Sequence, residues 1–203
     1  MKKREFIKSL VAALIPSAIL VSGSWFSFTK LLPKRKAPPF RPPGAIAESE
    51  FLAKCIRCRR CGQVCPNETI KYFDTLDPVM SGTPYFVPRE KGCILCMKCN
   101  NTCPTGALEP ISENPDAILS KVKIGKAVVD KNICNSFNGF VCGVCVFACP
   151  YTNIAIWGDT WEQPVVTDKC VGCGLCEQAC IHYPQAIRVV HTVEEKEVTI
   201  EKI

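Results

Sequence analysis

Apolar and polar positions along this chain organise into short runs, with one exception at the start. Residues 10–28 form a mostly apolar stretch of 19 residues behind Lys2, Lys3, Arg4 and Lys8, close to the ~20 that a membrane-spanning helix needs. Beyond it the runs are brief. Residues 83–87 read as a short strand, kept at a sheet edge by Pro84 and Pro88. Residues 116–122 fit one or two helical turns, and residues 127–130 a further strand. Residues 154–157 and 164–167 fit the two arms of a hairpin, with 158–163 as its loop. This pattern predicts an α+β fold of short strands and short helices with little apolar core.

What fills such a fold is read from the cysteines. The 203 residues include 16, all between Cys55 and Cys180 and in four groups of four, far above ordinary usage. The clearest group is Cys170, Cys173, Cys176 and Cys180, a C-x2-C-x2-C-x3-C run. Two-residue spacers let one tight loop aim three thiolates at three irons of a cubane cluster, and the fourth cysteine characteristically reaches a second cluster. Gly172 and Gly174 let backbone N–H groups approach the cluster sulfurs. Cys55, Cys58, Cys61 and Cys65 repeat the spacing ahead of Pro66, and Cys93, Cys96, Cys99 and Cys103 repeat it ahead of Pro104. In the third group seven residues separate Cys134 from Cys142, after which Cys145, Cys149 and Pro150 resume the pattern. A longer loop still delivers a ligand; the rival reading leaves Cys134 a free thiol.

An even cysteine count in an exported chain also suits a disulfide scaffold, and paired C-x2-C groups suit zinc. Disulfides do not explain four near-copies of one spacing, and zinc does not call for x2, x2, x3 and then proline. The expected cofactors are therefore four [4Fe-4S] clusters, with the sixteen cysteines as iron ligands. Bound metal would make up for the small core, so the chain without iron should be largely unfolded. His182 and His191 are the two histidines and no C-x-x-C-H occurs, which argues against covalent haem. His182, two residues beyond Cys180, is expected to be an ordinary surface or packing side chain. Trp157 and Trp161 are expected to pack over a cluster or core. Arg57, Arg59 and Arg60 crowd the first motif, where they either raise that cluster's potential or face water. Motif pairing stays open between a sequential arrangement, one with two and three with four, and a nested one.

Charge divides the chain. Residues 1–44 carry a net +8, which leaves −2 for the remainder. Thiolate-held clusters would make that remainder more acidic, so the basic balance is no argument for nucleic acid. Lys3-Arg4-Glu5-Phe6-Ile7-Lys8 is similar to a twin-arginine export signal with lysine in the first arginine's place. The expected organisation is an export signal or membrane anchor over 1–30 and a Pro-rich linker over 31–44. Ferredoxin-like modules then cover 45–120 with motifs 1 and 2, and 121–203 with motifs 3 and 4. Nothing resembles a nucleotide fingerprint or a nucleophile–base pair, so the chain reads as an electron carrier rather than an enzyme.

Several stretches together carry a family resemblance. They are the Lys-Arg start with its apolar segment, Phe40-Arg41-Pro42-Pro43-Gly44-Ala45, and Phe51-Leu52 ahead of Cys55-Ile56-Arg57-Cys58. Gly82-Thr83-Pro84-Tyr85-Phe86 and the long-looped Cys134-Asn135-Ser136-Phe137 complete the set. On these the chain resembles the NapG/MauM-type ferredoxins, with two departures: the missing arginine pair, and Arg59 where the family usually has glycine. The resemblance implies tandem bacterial ferredoxin-like modules in the electron-transfer subunit of a membrane quinol dehydrogenase. Its partners would be a polytopic NapH-type iron–sulfur protein and a periplasmic redox acceptor such as nitrate reductase, at the periplasmic face of the membrane. Two other readings use the same motifs: a four-cluster subunit docked directly on a molybdopterin oxidoreductase, and a structural metal-binding adaptor.

Overall fold

The computed structural model describes residues 38–74 and 78–191. The apolar segment 10–28, and the export signal or anchor expected there, lie outside the described residues. From Pro39 onward the chain forms one compact unit.

Two halves repeat one order of elements. In the second half β3 (Lys126–Val129) pairs antiparallel with β6 (Ile187–Val190), enclosing everything between them. Within that frame come motif 3, the hairpin β4 (Ile156–Asp159) and β5 (Gln163–Val166), and motif 4. In the first half the outer pair shrinks to a single antiparallel bridge between Ala45 and Leu108. Glu109 N–H donates to the Gly44 carbonyl at 2.7 Å beside it, where a Cβ on Gly44 would fall 2.5 Å from the Glu109 oxygen. The inner hairpin shrinks to β1 (Lys71–Tyr72) on β2 (Pro84–Tyr85). Each motif feeds one helical turn: α2 (Arg60–Gln63), α3 (Lys98–Asn101), α5 (Val144–Phe147) and α6 (Leu175–Ala179). The α1 helix (Glu48–Lys54) precedes motif 1. The connector helix α4 (Pro115–Lys121) starts at Asn114, whose side chain accepts from the Asp116 N–H, with proline at the position that tolerates it.

The sequence places most of these elements and misses some. The hairpin forms with a tighter connection, Thr160–Glu162, than the expected loop. The Lys71–Tyr72 and Ile187–Val190 strands were not expected. The larger correction concerns the prolines. Residues 40–44 are not a spacer: Phe40 bridges Phe86, and Arg41, Pro42 and Pro43 are buried. Prolines carry no N–H to satisfy, which makes them cheap to bury where a strand edge passes. Trp157 and Trp161 also depart from expectation, being 40% and 60% exposed. Trp161 sits in the hairpin turn at φ +63, which turns it outward.

Apolar side chains gather in three clusters. Phe51, Cys99, Ala107 and Leu108 close the first half, and Ala127, Val146, Ile156, Cys176 and Ile187 the second. The largest draws on both halves: Phe86, Leu95 and Met97 meet Val171 and Cys173, with Ile111, Ile118 and Val122 of the connector between them. Among the buried polar side chains, Arg41 is 7% exposed. Its guanidinium grips both Glu48 oxygens, at 2.9 and 2.5 Å, and donates to Thr83 Oγ1 and the Pro84 carbonyl. It also lies 4.6 Å over the Phe51 ring. This ties the approach segment, α1 and β2 into one piece.

Candidate metal centres

The sixteen cysteines form no disulfides, and they line four small cavities of similar size. Cys55, Cys58, Cys61 and Cys103 face the first cavity. Cys65 joins Cys93, Cys96 and Cys99 in the second. Cys149 joins Cys170, Cys173 and Cys176 in the third. Cys180 joins Cys134, Cys142 and Cys145 in the fourth. In every case three thiols come from one motif and the fourth from the partner motif. The grouping is sequential, motif 1 with 2 and motif 3 with 4. Cys134 stands with the others of its group despite its long loop, because the short helical turn Asn135–Phe137 brings the chain back and Asn138 Nδ2 clamps the Cys134 carbonyl at 2.8 Å.

The centres stand in file. Burial raises the Cys99 thiol to about 12, with Cys61 of the first centre adding to it. Burial likewise raises Cys173 to about 12, with Cys93 of the second centre among the neighbours that contribute. Cys176, pushed well up by burial, also feels Cys145 of the fourth centre. At the middle step the backbones touch: Cys93 N–H donates to the Cys173 carbonyl at 2.7 Å. The spatial order is therefore motif 1, motif 2, motif 4, motif 3.

Thiols held this far from ionising ask for positive charge. Burial drives Cys93 and Cys145 to about 12 as well. Four cysteines round one cavity become thiolates together when a cationic core supplies the compensation. Among the described residues no three His, Cys, Asp or Glu side chains stand close enough to hold a single metal ion. The thiols instead surround a space, which suits a cubane better than a zinc ion. Cys103 is the contrary case. Burial opposes its ionisation, yet the N–H groups of Leu108, Thr105 and Ala107 and the Thr105 hydroxyl outweigh it and bring the thiol down.

The loops achieve this with left-handed backbone on either side of the middle cysteine. Arg57 and Arg59 have φ +58 and +62, Leu95 and Met97 +58 and +50, and Gly172 and Gly174 +74 and +85. Gly143 takes the equivalent of the second position at +65. This curls successive N–H groups into a concave nest, as where Leu95 N–H meets Cys93 Sγ at 3.4 Å. Side-chain-bearing residues there cost about 1–2 kcal/mol each, which is the physical reason for glycine at the equivalent positions Gly143 and Gly174.

Comparison with known proteins agrees with this geometry. Residues 54–107 match the 4Fe-4S dicluster domain family and residues 164–182 the 4Fe-4S binding domain family. Motif 3 lies outside both matched segments. The methylamine utilization ferredoxin-type protein MauM of Methylobacillus flagellatus is 38% identical over 186 residues, 85% of this chain and 77% of its own length. The ferredoxin-type protein NapG of Escherichia coli is 38% identical over 202 residues, 93% of this chain and 85% of its own. MauM of Paracoccus denitrificans is 39% identical over 166 residues, 76% and 72% of the two chains. The chain belongs to the NapG/MauM ferredoxin-type family. As a member it is an iron–sulfur electron-transfer protein.

One feature beside the first centre escapes sequence reading. The Tyr72 hydroxyl lies 3.8 Å from Cys61 Sγ, donates to the Arg59 carbonyl at 2.8 Å and accepts from Gly62 N–H at 3.0 Å. Burial, then the neighbouring Cys61, holds its phenol well above the usual range. It therefore stays a neutral donor beside the first centre. A two-residue strand gave no periodicity by which to find it. His182 lines the fourth cavity beside Cys180 but is not one of its four thiols. Of the arginines expected near the first centre, Arg57 donates to the Ser81 and Val79 carbonyls, and Arg59 lies 5.2 Å over the Tyr72 ring.

Proposed function

We propose that this protein holds four [4Fe-4S] clusters in tandem ferredoxin-like modules, one per cavity, and relays electrons between a membrane quinol-oxidising partner and a periplasmic acceptor. The observation that carries this is the complete division of sixteen cysteines into four sets of four, standing in file. Each cluster supplies a reversible one-electron site. The protein's own part is to fix the thiols, exclude water from the inner pair and aim N–H groups at the sulfurs. The sequential grouping supports this reading over a subunit docked directly on a molybdopterin oxidoreductase, for which nested pairing is expected.

In this reading residues 1–30 deliver the chain to the periplasmic face of the membrane or anchor it there. Relatives named NapG and MauM point to a polytopic NapH-type protein as the donor side and to a nitrate or amine-oxidation pathway as the wider setting. The test is anaerobic solubilisation of native membranes, recovery of the protein with its partners, and iron and sulfide counts per chain. Co-recovery of a polytopic iron–sulfur protein, with electrons flowing from a quinol analogue into the clusters, supports the proposal. A stoichiometric molybdopterin subunit without that partner overturns it.

A further inference from the structure

The two ends of the file present different chemistry. At the fourth centre the residues flanking the ligands are apolar and exposed: Phe140 at 66%, Val141 at 68% and Ile181 at 68%. At the first centre they are cationic. Cys58 of this centre is exposed, and exposed Arg57, Arg59 and Arg60 flank it in sequence. Ile56, 62% exposed, completes the loop.

Among the described residues these charges meet no carboxylate. Arg41, Lys54, Lys71, Lys91, Lys126 and Arg188 each stand by a carboxylate. Arg57, Arg59 and Arg60 form no ion pair with any described residue. Carbonyl oxygens hold the guanidinium of Arg57 and an aromatic ring lies under that of Arg59. Both contacts fix a side chain in place and leave its charge unspent. An exposed apolar residue and an exposed ligand, with exposed arginines beside them in the loop and two of those held in place, have the make-up of a docking centre with a charged rim.

Resting on the four-cluster reading above, we propose that this arginine face is the port where the file exchanges electrons with a soluble redox protein whose cofactor is ringed by carboxylates. Complementary charge would steer that partner onto Cys58 and set its orientation. One electron crosses per encounter; no bond forms or breaks, and the donor is left one electron more oxidised.

The probe is an acidic flavodoxin in its hydroquinone form, mixed by stopped flow with the oxidised full-length holoprotein. Photoreduced deazaflavin, a neutral donor, runs alongside. Each variant is first assayed for iron and sulfide, so that a shortfall in the wild-type protein counts against the four-cluster reading and not against the port. The readout is the ratio of the two rate constants. For the wild-type protein it should fall steeply with added salt, as screening at ~0.1 M shortens the reach of charge to about 10 Å. In R59E/R60E it should fall at least tenfold at low salt, and added salt should then raise it. R59Q/R60Q, which adds no repulsion, should give an intermediate ratio and serves where the charge-reversed protein loses iron. An unchanged ratio in both variants overturns the proposal. So does an equal drop with both donors, which would place the arginines' effect on the cluster itself.

Discussion

The seam between the second and third centres is where a single methyl group should do most damage. A Cβ on Gly92 would fall 2.7 Å from Leu175 N, 2.9 Å from Gly174 C and 3.0 Å from Leu175 Cα, all backbone. Gly92 cannot retreat, because its carbonyl accepts from Asn67 Nδ2 and Thr69 Oγ1 and its N–H donates to Gln178 Oε1 at 2.8 Å. Ordinary contact begins at 3.4 Å, so Gly92→Ala must open the seam by about 0.7 Å, an overpacking cost of about 1–3 kcal/mol. Two hydrogen bonds cross there, from Gly92 N–H and from Cys93 N–H to the Cys173 carbonyl. Losing them adds about 1 kcal/mol each. The sum, about 3–5 kcal/mol, lowers the melting temperature by on the order of 10 °C for a chain this long. The assay is anaerobic thermal unfolding of the holoprotein, followed by cluster absorbance at one scan rate. Gly106→Ala is the control: it has φ +69 and no atom within 4 Å of the added Cβ, so it bears only a conformational cost of about 1–2 kcal/mol. If Gly92→Ala melts no lower than Gly106→Ala, the seam is not close-packed and the reasoning fails.

Two further predictions concern the first half. Cys103→Ser should alter the cluster signal of the Cys55, Cys58 and Cys61 centre and leave that of motif 2 intact, while Cys65→Ser does the reverse. Low-temperature electron paramagnetic resonance with iron counts checks this, and effects confined to each cysteine's own motif would disprove the grouping. Arg41→Met keeps the alkyl packing but strands Glu48 and the Pro84 carbonyl. It should cost about 2–4 kcal/mol, less than a fully buried pair because Glu48 is a third exposed. Adding Glu48→Gln should recover part of that loss in chemical denaturation, and a strictly additive double variant would argue against coupling.

What the sequence made legible was whatever depends on local spacing. Cysteine intervals gave the ligands, short apolar runs gave β3 and the β4–β5 hairpin, and the 116–122 stretch gave α4. What stayed hidden depends on partners far along the chain. The Ala45–Leu108 bridge and the β3–β6 pair join segments about 60 residues apart. Lys71–Tyr72 is too short to show any period. Pro42 and Pro43 read as an extended spacer because proline density signals polyproline geometry. The signal that they are buried lay in Arg41, whose partners Glu48 and Thr83 are seven and 42 residues away. Left-handed backbone at Arg57, Arg59, Leu95 and Met97 was equally unreadable. Only the glycines at the same positions in motifs 3 and 4 hint at it.

The distribution of apolar material follows the division of labour that the file demands. The largest core sits not inside either half but across their junction, where Phe86, Leu95 and Met97 meet Val171 and Cys173. Two domains joined by a flexible linker would leave the spacing of their nearest centres to fluctuate. Here the Cys93–Cys173 hydrogen bond, the Gly92 and Gly174 approaches and the connector residues Ile118 and Val122 hold that spacing fixed. The outer centres are built the other way. Their cores are small, and a thiol or its neighbours reach the surface, Cys58 at one end and Phe140, Val141 and Ile181 at the other. A relay needs rigid spacing within and exposure without. Motif 3 occupies an end of the file rather than an interior place, so the seven residues between Cys134 and Cys142 extend a surface loop and leave the spacing of the inner centres undisturbed.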